Sequence, residues 1–579
     1  MYVMCVFVFS FILLVTPFEN SIFNSIIKYH TPMLLKETVN KFEKHAVNTE
    51  CVIASQIGQK ILEKGGNAVD AAISATIAIG IVNSFSAGIG GGGFLMLKKN
   101  DTYKFYDFRE TAPKLAKEEY FINHPEDLKL GIRSTCTPGE LKGLYTVHKE
   151  FGKLPWNQLF DECIELCNTG FKANILLINK LKSNENFIKN DPGFREIFMK
   201  HGNIIQEGDI IIRKNLGRTL QEIAQNPDSL YTGQIAEKIV EFSKNNNGFL
   251  TKSDLEDYNV KERDVLRGNF KEYDVITTNL PTSGAFVLMA LNILDQFDFK
   301  NIYQTLSHQN EFYIFHILIE IFKFMFLKRG EAGDPTFVDK SDEKIIELTS
   351  KALAHLLFNE IDFEKPLDRK LFGNIVDFAE DHGTTHLNVI DSDGMAVLIT
   401  TTINLEFGSK VMDPETGIIF NNHMDDFYVP GILNAYNLSL SKSNRIEPGK
   451  RPFSSACPTI LIKKDNESEE LLLLGAAGGT KIPTSIVSTI LFYYLTGDLY
   501  KAITMPRIHD QLLPKTTFVE DAFPYLLLEK LKLLGHQIVK SDEMHTFTSV
   551  NGINVKRTKN HTEITTAADP RKLGGSCGE

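Results

Sequence analysis

Two hydrophobic rhythms divide the chain. Across residues 54–82 the apolar positions recur at helical spacing. Ile57, Ile61 and Leu62 share one face, Gly65 and Gly66 interrupt, and residues 68–82 are so uniformly small and apolar that they predict a buried helix. Residues 94–108 read as a strand hairpin ending at Arg109, and residues 136–156 as a turn, a helix and a second turn. Helical patterns fill residues 156–240. A helix opens within residues 280–294 after a Pro-Thr-Ser-Gly turn, and residues 309–328 predict a long aromatic-rich helix. Residues 340–375 are mixed, with one or two helices. The stretch "DHGTTHLNVIDSDG" (381–394) then changes period: Leu387 and Val389 alternate with His386 and Asn388, as in a half-buried strand. Residues 391–394 are turn chemistry and 395–403 resume an apolar, β-branched run, so a hairpin is expected. Short strands follow, with helices near 485–496 and 522–534. A helix-rich first part and a strand-rich later part with outer helices predict a layered α/β sandwich.

With 579 residues, 43% hydrophobic and 23% charged, the chain has the composition of a soluble globular protein large enough for an extensive core. The net charge of −11 argues against a nucleic-acid binder. Residues 4–18 are an apolar run of leader length, too short for a comfortable membrane span. A secretory signal at 1–18 is therefore expected, with an uncleaved signal anchor on the extracellular face as the alternative. Sequons at Asn100, Asn437, Asn466 and Asn560 are compatible with glycosylation on that route. The seven cysteines contain no CxxC, which excludes a zinc ribbon. Cys163 and Cys167, four apart in a helical pattern, are open to either a disulfide or a pair of buried thiols.

The glycine run "AGIGGGGFLML" (87–97) holds a G-x-G-x-x-G at Gly88, Gly90 and Gly93. It follows a helix and opens a strand, the reverse of what a dinucleotide site needs, and a close backbone crossing near a pocket is the better reading. The Gly-Thr-Thr-His sequence at 383–386 offers hydroxyls, but a threonine is a poor nucleophile without a base beside it.

Ordered blocks along the chain resolve that question. "GGNAVDAAI" (65–73), "GIGGGGF" (88–94), "RETAPKLA" (109–116), "PGELKG" (138–143), "GDPTFVD" (333–339), "TTHLNVIDSDG" (384–394), "TTINLEFGSKV" (401–411), "GIIFNNHMDDF" (417–427), "PGKRPFSSACPTI" (448–460) and "GAAGGT" (475–480) resemble the γ-glutamyltransferase (γ-glutamyl transpeptidase, glutathione hydrolase) family. The resemblance implies an N-terminal-nucleophile αββα sandwich, made as one precursor that cleaves itself at Gly383–Thr384. It divides the chain into the leader, a large subunit at 19–383 and a small catalytic subunit at 384–579. Cleavage would supply the missing base, because a free α-amine titrates at about 7.7–8.0 within reach of its own Thr384 hydroxyl.

The same resemblance implies a site. Thr384 is the nucleophile, Thr402 its hydrogen-bonding neighbour, and Gly478 and Gly479 the oxyanion-hole glycines. Arg109, Ser454 and Ser455 would hold the α-carboxylate of a glutamyl group, and Asn404, His423 and Asp426 its ammonium. His386 receives no role. No metal or organic cofactor is required. The expected partners are glutathione and other γ-glutamyl compounds, acceptor amino acids or dipeptides, and the chain's own two subunits as a heterodimer.

Several positions depart from the family pattern. His423 stands where Glu or Gln is usual, and with an ordinary pKa near 6.5 it is expected to turn from acceptor to repeller on mild acidification. Glu406 replaces an aromatic residue that shields the site in animal relatives, and Met395 and Leu398 replace small or polar residues. The leading expectation is a γ-glutamyl transferase/hydrolase working through a Thr384 ester. The alternatives are a related acylase for other amides, and a secreted family-like protein that binds γ-glutamyl compounds with reduced or lost turnover.

Overall fold

The hairpin expected after Gly383 forms, but its first strand is buried along its whole length because it lies inside a two-sheet sandwich. The computed structural model describes residues 39–299, 312–368, 383–431, 442–541 and 548–579. The apolar run at 4–18, Cys5, Asn437 and the segment just before Gly383 lie outside these residues.

The strands of the two large sheets are, in chain order, β1 (Val39–Phe42), β2 (Ala46–Thr49), β3 (Gly92–Lys99), β4 (Thr102–Phe108), β5 (Lys261–Arg263), β6 (Leu266–Phe270), β7 (Tyr273–Thr277), β8 (Gly383–Ile390), β9 (Ala396–Asn404), β10 (Thr459–Lys464), β11 (Ser468–Ala477), β12 (Ser549–Thr558), β13 (Thr562–Ala567) and β14 (Gly575–Gly578). One sheet runs β14-β2-β8-β9-β3-β4-β5 and the other β1-β13-β12-β11-β10-β7-β6, seven strands each, antiparallel throughout.

The first sheet is covered by α1 (Val52–Glu63), α2 (Ala68–Val82) and α3 (Glu140–Phe151). All fifteen residues of α2 are buried. Asn67 caps it by accepting from the amides of Val69 and Asp70, while the Asp70 carboxylate accepts from the Asn67 amide. The second sheet is covered by α4 (Gly284–Leu294), α5 (Phe312–Arg329), α6 (Ser341–Thr349), α7 (Lys351–Asn359), α8 (Lys481–Thr496), α9 (Leu499–Thr504) and α10 (Tyr525–Leu534). The helical span expected at 156–240 is interrupted by two-residue strands at Phe171–Lys172, Met199–Lys200, Asn203–Ile204 and Ile210–Ile211. Gly170, Gly202 and Gly208 take positive φ there and turn the chain.

The alternation in β8 marks two different interiors, not an inside and an outside. Leu387 and Val389 join the apolar core under α2. His386 and Asn388 face the other sheet, beside a layer that includes Met96, Leu398, Leu473 and Ile553. Their polar atoms are satisfied locally. His386 Nδ1 lies 2.9 Å from Thr400 Oγ1 and its Nε2 3.0 Å from Asn388 Oδ1; across the sheets Asn388 Nδ2 donates to the Asn551 carbonyl and Asn551 Nδ2 to the His386 carbonyl, each at 3.0 Å. Burial pushes the His386 pKa down to about 4, so the ring is neutral. It presses on Gly475 of β11, where a Cβ would fall 2.0 Å from the ring.

Cys163 and Cys167 are buried free thiols, so the disulfide alternative does not hold, and Cys51, Cys136, Cys457 and Cys577 are free as well. Among the described residues no helix is long and apolar enough to cross a membrane.

Candidate active site

Residue 384 is the second residue of β8, at a register shift between Gly383 and Thr384. Gly383 has no room for a side chain, since a Cβ would stand 2.0 Å from the Asn404 carbonyl oxygen. Thr384 Oγ1 donates to Thr402 Oγ1 on β9 at 3.1 Å. The Thr402 hydroxyl in turn donates to the Gly383 carbonyl at 2.8 Å and accepts from the Asn404 amide at 2.9 Å. One hydroxyl thus joins the candidate nucleophile to the carbonyl of the bond before it. The glycine run at 87–97 makes the close crossing expected of it: a Cβ on Gly91 would meet the Thr402 carbonyl at 2.2 Å.

A cleft opens over this point. Thr384, Thr402, Asn404, Arg109, His423, Asp426, Ser454, Ser455 and Gly479 all line it, with Phe94, Phe326, Phe427, Phe453 and Ile482 as apolar wall. Arg109 follows β4 and is held rigidly: its Nε donates to Pro452 O at 3.2 Å and its Nη2 donates to the Asp426 carboxylate. The serines lie on the loop before β10, where Ser454 N donates to Pro281 O at 2.8 Å. Asn404 is held at φ 76°, a conformation rare for a side-chain-bearing residue, with its Nδ2 donating to Asn422 O at 3.1 Å. Gly478 and Gly479 follow β11 with φ of 135° and 51° and lead into α8. Gly478 lies against Thr548, not among the residues lining the cleft, while Gly479 opens onto it.

His423 and Asp426 lie at the two ends of a 3-10 turn, His423–Asp426. Here the electrostatics differ from expectation. His423 is buried, and burial, reinforced by the Arg109 charge, takes its pKa well below the ordinary 6.5. A switch of His423 itself on mild acidification is therefore replaced by a ring that stays neutral. Its Nδ1 is 2.9 Å from Glu110 Oε1, but the two are poorly aligned and neither completes a hydrogen bond. Burial holds the Glu110 carboxyl up to about 8 against the pull of Arg109, whose Nη1 is 3.7 Å away.

Glu406 is turned away from the cleft: its carboxylate pairs with Lys180 Nζ at 2.6 Å and accepts from Asn184 Nδ2 at 2.7 Å. Met395 packs in the core beneath the helices and Leu398 between the sheets.

Three groups were missed in the sequence. Glu110 sits beside Arg109 in a recognised block but gave no signal of facing residue 423. Lys572 Nζ donates to the Thr384 carbonyl at 2.8 Å and to Glu50 Oε2 at 3.2 Å, joining residues 522 positions apart. Arg329, one residue beyond the aromatic-rich helix expected at 309–328 and the last residue of α5, brings a second guanidinium to the cleft, 4.5 Å over the Phe453 ring.

Two stacked antiparallel sheets between helical layers, with a threonine at the mouth of a central strand, define an N-terminal-nucleophile hydrolase fold. A cephalosporin acylase from Bacillus halodurans shares that fold, with a TM-score of 0.79 at 23% identity over 94% of this chain and 97% of its own. Residues 54–578 match the Gamma-glutamyltranspeptidase family. The chain belongs to that family and is an enzyme of it. It is 39% identical over 511 residues to glutathione hydrolase proenzyme 1 of Schizosaccharomyces pombe, covering 88% of this chain and 80% of that one. It is 34% identical to the glutathione hydrolase proenzyme of Escherichia coli, covering 86% of each. The γ-glutamyltranspeptidase structure from Helicobacter pylori superposes with a TM-score of 0.52 at 30% identity, over 55% of this chain and 92% of that chain.

Proposed function

We propose that the protein is a self-cleaving γ-glutamyl transferase/hydrolase acting on glutathione and related γ-glutamyl amides. The observation that carries the reading is the Thr402 hydroxyl, bonded at once to Thr384 Oγ1 and to the Gly383 carbonyl. In maturation Thr384 Oγ1 attacks the Gly383 carbonyl while Thr402 hydrogen-bonds the oxygen that gains charge. The peptide C–N bond breaks, an ester forms, and the nitrogen becomes the Thr384 α-amine; water then hydrolyses the ester. Large (19–383) and small (384–579) fragments remain together as a heterodimer.

In turnover the freed amine takes the Thr384 hydroxyl proton as the oxygen attacks the γ-carbonyl. We assign the developing oxyanion to the backbone N–H groups of Gly478 and Gly479, of which Gly479 opens onto the cleft. The leaving amine, cysteinylglycine in the case of glutathione, departs with the proton. Water or an acceptor amino acid or dipeptide then takes the glutamyl group from the ester. Arg109, Ser454 and Ser455 recognise the α-carboxylate, and Asn404, Asp426 and His423 the ammonium; their convergence on one cleft supports this division.

A secretory route fits this reading, because the sequon asparagines Asn100, Asn466 and Asn560 are all exposed. Endoglycosidase treatment of the protein from its own cells should shorten the apparent mass.

The test of function is turnover of a γ-glutamyl anilide with and without a dipeptide acceptor. Anilide release that depends on Thr384 supports the reading, and acceleration by acceptor shows transfer. Tight binding with no release would instead identify a γ-glutamyl-binding protein.

A further inference from the structure

We propose that His316, Glu320 and His536 form a buried site for one divalent transition-metal ion of the zinc class, remote from the cleft chemistry and structural in role. His316 and Glu320 lie one turn apart on the same face of α5, and His536 follows α10. All three side chains are sealed from solvent.

The donor atoms converge. His316 Nδ1 and His536 Nε2 are 2.7 Å apart, and Glu320 Oε1 is 4.0 Å from each. The point equidistant from the three atoms lies roughly 2.1 Å from each, the length of a zinc bond to imidazole nitrogen or carboxylate oxygen. An ion at that point replaces the proton that His536 Nε2 donates to His316 Nδ1, and the two rings part from 2.7 Å to widen the angle they subtend at it, leaving the positions above and below the plane for a water molecule.

The surroundings orient the ligands. His316 Nε2 donates to the Asp362 carbonyl at 2.8 Å, which leaves Nδ1 as the lone-pair nitrogen, and the second Glu320 oxygen accepts from the Leu367 amide at 2.8 Å. Two imidazoles and one carboxylate favour zinc, cobalt or nickel over magnesium or calcium. One group opposes the ion: Lys323 Nζ is 2.6 Å from Glu320 Oε1 and is itself buried. A bound hydroxide in place of water offsets the excess positive charge.

The site links α5 and the 361–368 segment to His536. On the proposed maturation, this joins the large fragment to the small one; the metal ligation itself does not depend on that reading.

The experiment uses the full chain expressed in cobalt- or zinc-supplemented medium, since a closed site loads as the protein folds. Purified protein should hold one ion per chain, and X-ray absorption should show two imidazole nitrogens and an oxygen in its first shell. Glu320→Gln and His536→Gln chains should lose the ion while keeping γ-glutamyl turnover. A Lys323→Met chain should hold it more tightly against a chelator. Should the variants fail to fold, the wild-type spectrum alone decides. Absent or substoichiometric metal, a first shell without two imidazoles, or metal content unchanged by both ligand substitutions would overturn the site.

Discussion

Nδ1 of His423 lies 2.9 Å from Oε1 of Glu110, with both side chains buried. Of the two, Glu110 is the group that titrates near neutrality, because burial lifts its carboxyl to about 8 while the same burial takes His423 well below 6.5. With Glu110 protonated, Nδ1 serves as the acceptor and Nε2 carries the ring proton. Once Glu110 ionises its carboxylate only accepts, so the ring proton shifts to the Nδ1 that faces it and Nε2 becomes an acceptor fit for an ammonium. The donor KM should fall as pH rises through about 8, by about two- to tenfold for one hydrogen bond of about 0.5–1.5 kcal/mol. Glu110→Gln should flatten the profile, and His423→Glu should lower KM on the acid side. Profiles measured for all three proteins that run parallel would remove His423 and Glu110 from ammonium recognition.

Arg109 already spends its fork on Asp426 and Pro452, so a substrate carboxylate must join an existing lattice and not a free cation. A lysine's tetrahedral ammonium cannot reproduce the planar guanidinium fork. Arg109→Lys should raise KM by about 10- to 100-fold, the value of one charge-assisted hydrogen bond of about 1.5–3 kcal/mol, with a much smaller change in kcat. Steady-state kinetics decides it. A collapse of kcat at constant KM would assign the residue to the reacting centre.

Maturation should be as local as the geometry around Gly383. A Thr384→Ala chain should remain intact and inactive on denaturing electrophoresis, whereas the wild type should yield a smaller fragment whose N-terminal sequence begins Thr-Thr-His-Leu. Thr402→Val keeps the shape but removes the hydroxyl that donates to the Gly383 carbonyl, and should slow cleavage by about 10- to 100-fold. An active protein that is never cut would refute the scheme.

Glu140 makes a stability prediction. Its carboxyl is fully buried at the start of α3, accepts from Thr401, and has one oxygen without a partner among the described residues; burial raises its pKa from 4.5 to about 8. The folded protein therefore holds this proton more tightly than the unfolded chain. That contribution is complete below 4.5 and is lost as pH rises towards about 8, with a ceiling of about 5 kcal/mol at about 1.4 per pKa unit. Glu140→Gln should leave denaturant stability nearly unchanged at acid pH and increase it above 8. A difference that shrinks with rising pH would contradict the assignment.

The secondary structure was legible wherever a period persisted. The α2 helix, the hairpin leading to Arg109 and the hairpin around residue 391 lie within a few residues of expectation. The half-buried reading of β8 was incomplete because alternation reports two environments, and a second sheet carrying Asn551 and Gly475 is as polar a neighbour as water for His386 and Asn388. The residues expected to share the cleft were carried by block resemblance, and apart from the recessed Gly478 they line it together. Glu110, Lys572 and Arg329 were not legible, since their significance lies in contacts across the chain. The same holds for His316, Glu320 and His536. A histidine and a glutamate inside a long aromatic-rich helix carry no signal of their own until a residue 216 positions beyond Glu320 closes the triangle.

The His386 ring against Gly475 works as a gauge block. His386 is two residues beyond Thr384 on one sheet, and Gly475 three residues before Gly478 on the other. Thr384 and the Gly478-Gly479 turn therefore belong to separate sheets, and at this point between them one imidazole ring fills the gap beside the apolar layer of Met96, Leu398, Leu473 and Ile553. A methyl added at Gly475 would act as a shim, pressing the two strands apart behind the cleft while leaving every residue of the cleft chemically intact. Tolerances in this enzyme are machined a strand's width behind the cutting edge.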